Sequence, residues 1–165
     1  MRRMLMLFAA VALLALSLAP VVQAQGQGGA PTDVEPDDPP FIITEEQFPG
    51  ACSFDVAFEP TGKEKRIELP NGTLLITSPG LDVTLTNTET GTSETYNVTG
   101  AVRILPRDEE GIQVTEVTGR NVMIDPLAGF VVTSGTFSFA FDAEGNLVQP
   151  LEGEGQQIDV CEALA

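Results

Sequence analysis

The sequence predicts an all-β fold, a single antiparallel β-barrel or alternatively a β-sandwich, of about ten short strands held by one disulfide. Three observations predict it. Apolar and polar residues alternate at period two in one segment after another, most clearly where Phe137, Phe139 and Phe141 are separated by Ser138 and Ala140, and a strand sends such alternate side chains to opposite faces. Turn-forming residues, among them Asn71-Gly72, Ser78-Pro79-Gly80, Gly91 and Gly145-Asn146, recur at the roughly 8–12-residue spacing of short strands. No segment after residue 24 keeps a helical apolar period over two turns. The many hairpin-length connections favour an up-and-down sheet, and closing such a sheet into a barrel removes its two exposed edges.

Residues 1–24 read as a signal peptide: Arg2 and Arg3 form a charged start, residues 5–18 an apolar core, and Val22-Gln23-Ala24 a small-residue cleavage site. No second hydrophobic span follows, so the mature chain carries no membrane span and is expected to be secreted or held in the cell envelope. Cleavage near Ala24 removes two of eight cationic residues and none of the 24 acidic ones, leaving six against 24, a net charge of −18. Such a field repels phosphates and anionic lipid surfaces, which argues against nucleic acid or membrane partners. The 141 residues at 25–165 suffice for one domain with its own core.

Residues 25–44 carry Gly, Pro, Asp and Glu with few large apolar side chains, ending in Pro36-Asp37-Asp38-Pro39-Pro40, and predict an acidic, disordered leader before an all-β domain at 45–165. Cys52, Phe54, Val56 and Phe58 then alternate with Ser53, Asp55 and Ala57, placing the cysteine on an inward face. Pro60-Thr61-Gly62 reads as a turn, residues 63–69 as a strand, and Pro70-Asn71-Gly72 as a hairpin turn into residues 73–77. Ser78-Pro79-Gly80 turns the chain again. Leu81, Val83 and Leu85 make a half-buried strand with a threonine-rich outer face, and Tyr96 and Val98 lie on its return partner. Gly100 breaks or bulges the ladder, and Gly119, Pro126 and Gly129 punctuate the approach to the phenylalanine strand. Asp142 to Asn146 closes that strand into what reads as a central hairpin; residues 151–157 form a polar, glycine-rich tail, and Ile158, Val160 and Cys161 return to the core.

Cys52 and Cys161, an even pair in an exported chain, predict a disulfide joining the first and last segments of the domain. With no His and no Trp in the chain, Ser-His-Asp and Cys-His catalysis and His-ligated metals are excluded. No cofactor and no metal site are expected. Asp108-Glu109-Glu110 and Asp142 to Asn146 offer hard oxygens in loops without the alternating spacing that calcium favours, so they read as turns. Lys63 and Lys65 share one strand face and, with Arg66, hold half of the mature positive charge; they are candidate anion ligands or else a charged edge strand that resists aggregation. Arg120 stands five residues before Asp125 and is expected either to pair with it or to meet a ligand carboxylate. Threonine-rich edges could also add a partner strand.

Thr61-Gly62-Lys63, Ile67-Glu68-Leu69-Pro70, Ser78-Pro79-Gly80-Leu81, Thr118-Gly119-Arg120-Asn121, Asp125-Pro126, Ala128-Gly129-Phe130 and the segment from Gly145 through Cys161 resemble an uncharacterised family of small secreted actinobacterial β-proteins. The resemblance implies a bacterial, exported, single-domain protein and carries over no site or activity. The functional expectation is therefore a non-enzymatic binding module, for a small apolar ligand in a barrel interior or for a surface partner. The alternatives are a glycoside hydrolase working through two carboxylates and a structural or adhesive protein of the cell envelope.

Overall fold

A computed structural model of the chain describes residues 29–165; the signal peptide expected at 1–24 lies outside the described residues. The strands are β1 (Thr32–Val34), β2 (Phe41–Ile43), β3 (Val56–Glu68), β4 (Leu74–Thr77), β5 (Asp82–Asn87), β6 (Ser93–Asn97), β7 (Gly100–Ile104), β8 (Gln113–Asp125), β9 (Gly129–Phe141) and β10 (Leu147–Asp159), followed by a single helical turn, α1 (Val160–Ala163). All pairings are antiparallel, and they join the strands into one sheet in the order β10-β9-β8-β7-β4-β3-β5-β6, with β1 and β2 also on β3. The all-β, antiparallel expectation holds.

Register reduces the ten strands to fewer, longer runs. β4 lies opposite residues 65–68 of β3 and β5 opposite residues 56–61, so the two follow one another along β3. β7 and β6 follow one another along β4 and β5 in turn. At the break the ladder is carried across by the Ser78 amide donating to the Gly100 carbonyl at 3.2 Å and the Val98 amide donating to the Leu81 carbonyl at 2.7 Å. Thus Ser78-Pro79-Gly80 offsets one run rather than reversing the chain. The runs β1–β2, β3, β4–β5, β6–β7, β8, β9 and β10 neighbour one another in chain order, the up-and-down arrangement that short connections favour.

The runs bend near their middles, and glycine is what allows it. Gly100, Gly119, Gly135 and Gly155 pair in succession across β7, β8, β9 and β10. A Cβ on Gly135 would stand 2.1 Å from the Glu154 carbonyl oxygen, where no side chain fits. On β3, Gly62 (φ 140°) presses equally close to Gly80. Pro60-Thr61-Gly62, expected as a turn, is therefore a bend inside one 13-residue strand, and Gly119 is another inside β8.

The bend folds the β8–β9–β10 ribbon back on itself. Asp125 pairs with Gly129 at one end of the β8–β9 hairpin, whereas Leu151 of β10 lies beside Ser138 and Phe139, about nine or ten residues further along β9. In a straight ribbon those positions would be separated by about 30 Å. Instead the Leu151 amide donates to Asp125 Oδ2 at 3.3 Å. Met123 and Val131 from the tip of the hairpin consequently pack in one cluster with Val117, Phe137, Phe139 and Leu151. The opposite face of the tip, Ile124, Phe130 and Val132, packs with Val56 and Phe58 of β3, Leu81, Val83 and Leu85 at and along β5, and Tyr96 of β6. Residues 130–133 are accordingly buried on both faces. The hairpin whose tip is buried is β8–β9, and β9–β10 lies at one end of the strand order.

Three further expectations are corrected. Among the described residues no pairing joins the ends of the strand path, so the ladder does not close; the bends bury the apolar faces by folding the sheet instead. The leader expected to be disordered at 25–44 contributes β1 and β2, because backbone pairing asks little of side chains and Ile43 reaches the core. The polar tail expected at 151–157 is strand β10. The disulfide is made as expected: Cys52, just before β3, joins Cys161 in α1 across a Cα–Cα distance of 5.2 Å, inside the first cluster. A disulfide marks an oxidising compartment, and no helix among the described residues is long and apolar enough to cross a membrane.

Candidate functional site

The cationic candidates do not converge. Lys63 and Lys65 share a face of β3, as alternation predicts, and each has one registered strand partner, Lys63 opposite Asp33 of β1 and Lys65 opposite Thr77 of β4. Lys63 Nζ stands 4.0 Å from Asp33 of β1, both side chains well exposed, a geometry worth little in water. Arg66 turns to the other face. Its Nε donates to Glu64 Oε1 at 2.6 Å, and Glu64 is a buried acid at 6% exposure. Across the sheet Arg66 lies opposite Ile76, then Val102, Val117 and Phe137, an apolar row leading into the second cluster. The buried Glu64 was missed in the sequence, though it shares the parity of Val56 and Phe58 and so could have been placed on the inward face.

Arg120 is half-buried on β8, opposite Ser134, and is separated from β3 by β7 and β4. The expected pair with Asp125 is not formed. Residues five apart on a strand face opposite sides, and the Asp125 carboxylate instead accepts the amides of Leu127 at 2.8 Å, Ala128 at 2.7 Å and Leu151 at 3.3 Å.

The loop carboxylates behave alike. Asp108 Oδ1 accepts the amides of Glu110 and Ile112, and Asp142 accepts both the amide and the side chain of Asn146. The Asn146 side chain, followed by backbone amides of the same turn, holds the Asp142 carboxyl below its ordinary value. Arg107 ties the two loops together by donating to the carbonyls of Gly111 and Asp142. Among the described residues no group of three or more acidic or cysteine side chains is placed to hold a metal ion. Tyr96, 8% exposed, has its phenol pushed above the ordinary value by burial and then by the neighbouring Glu94 charge.

No family model, characterised protein or solved structure matches this chain. The assignment of function therefore rests on the residues themselves. One feature without an internal use is β10, where residues 152–159 are all exposed and paired, among the described residues, on one side only, with β9. The sequence signal for it was the alternation Glu152-Gly153-Glu154-Gly155-Gln156, which reads as a tail until its register with β9 is known.

Proposed function

We propose that the chain is an exported, non-enzymatic binding module that engages its partner through its outer surface. The observation that carries this reading is the use of the phenylalanine rings: Phe130, Phe137 and Phe139 are 1–3% exposed and belong to apolar clusters with Ile124, Val117, Leu151 and their neighbours. The engagement of Asp108, Asp125 and Asp142 by backbone amides supports it too, since a catalytic carboxylate must be free to exchange protons or attack substrate. Native mass spectrometry of protein purified from its own host tests the reading. The bare, disulfide-bonded chain is expected; a retained lipid-sized mass would put the ligand inside, and turnover of chromogenic glycosides abolished by single Asp or Glu to amide changes would make it an enzyme.

A further inference from the structure

We infer that the free edge of β10 is a docking site for an extended, lysine- or arginine-bearing segment of another protein, which adds antiparallel to residues 152–159 as one more strand. β9 occupies one side of β10, and among the described residues no strand occupies the other. In an antiparallel ladder alternate residues turn their N–H and C=O groups away from the existing partner, so these eight residues offer about 26 Å of unpaired backbone. Pro150 and the register shifts between Leu147 and Glu152 limit the regular edge to this stretch.

Charge selects the occupant. Glu152, Glu154, Gln156 and Ile158 lie on one face of β10, opposite Ser138, Thr136, Ser134 and Val132 of β9, and no cation lies in β10. A second copy is a poor match: the chain carries a formal charge of −16, and pairing two β10 strands about Gly153 sets Glu152 of one against Glu154 of the other, a destabilising like-charge pair. A cationic segment meets opposite charges at the same positions. Running antiparallel, it would place an apolar residue beside Ile158, a polar one beside Gln156, and two cations beside Glu154 and Glu152, the alternate-residue recognition of strand addition.

The test uses the purified disulfide-bonded protein and the labelled peptide Thr-Ile-Thr-Gln-Thr-Lys-Thr-Lys-Thr, followed by fluorescence anisotropy. Saturable binding is expected, weakened at least about tenfold by E152K/E154K and restored by a peptide with Glu in place of both Lys. Methylating alternate peptide amides on the docking side is expected to abolish it, because strand addition needs those donors. Binding that survives either the methylation or the charge reversal, a complete lack of binding at millimolar peptide, or a dimer of the protein alone that occupies the edge would overturn the assignment. The inference rests on the surface-binding reading, yet the two fail separately: a peptide that does not bind leaves the native mass result untouched, and an internal ligand leaves the edge measurement valid.

Discussion

Gly135 is one of the residues whose replacement the fold tolerates least. Its φ of 153° lies outside the range comfortable for an L side chain, and a Cβ would also collide with the Glu154 carbonyl. Gly135→Ala is expected to cost at least about 3 kcal/mol in urea denaturation, combining backbone strain with displacement of β10. Gly80 is the control: it too has a positive φ, of 70°, but an added Cβ meets nothing within 4 Å, so Gly80→Ala should cost only about 1–2 kcal/mol. Thr73 gives the opposite sign. It is fully buried and its hydroxyl has no hydrogen-bond partner among the described residues, so Thr73→Val should be neutral or stabilise by up to about 1 kcal/mol in the same assay. None of this was legible at the residue level in the sequence. Gly119 and Gly135 look like any other breaker until the strands are registered and their glycines fall into a row.

At the scale of elements the sequence was more informative. The alternation around Phe137, Phe139 and Phe141 places all three rings toward one cluster, and Asn71-Gly72 does turn β3 into β4, with the Gly72 amide donating to Leu69 at 2.9 Å. Where the reading failed, at Pro60-Thr61-Gly62 and Ser78-Pro79-Gly80, local chemistry is the same for a reversal and for a bend, and only the partner strand distinguishes them. The β9–β10 turn illustrates a local signal that suffices. Asp142, Gly145 and Asn146 close it with bonds inside the turn. Because the folded carboxyl of Asp142 sits below its ordinary value of 3.8, its contribution is present above that value and is lost as pH falls through the lower, folded one. Asn146→Ala is expected to move the Asp142 midpoint back upward in a carbon-detected NMR titration; an unchanged midpoint would show that the turn does not set it.

For the whole molecule, two devices substitute for ladder closure. One is the disulfide, whose partners are 109 residues apart; in the chain-entropy model a loop of that size stabilises by roughly 4–5 kcal/mol. Replacing both cysteines with serine should lower the urea midpoint accordingly, and a loss below about 1 kcal/mol would mean that the core alone holds the domain ends. The pairing was legible because two cysteines leave one choice. The other device is the folded ribbon, which was not legible: it buries the tip of β8–β9 on both faces, and no period in the sequence reports which of two clusters an inward residue joins.

That folding is the central claim, and a distance measures it. Leu127 at the hairpin tip and Val148 near the start of β10 are exposed, at 76% and 49%, so spin labels carried there on non-natural residues leave the disulfide and both clusters alone. Pulsed electron paramagnetic resonance should give a single separation under about 20 Å, since each site is within three residues of the Asp125–Leu151 contact. A distribution centred near 40 Å, the span of about twelve residues of straight strand, would contradict the fold-back.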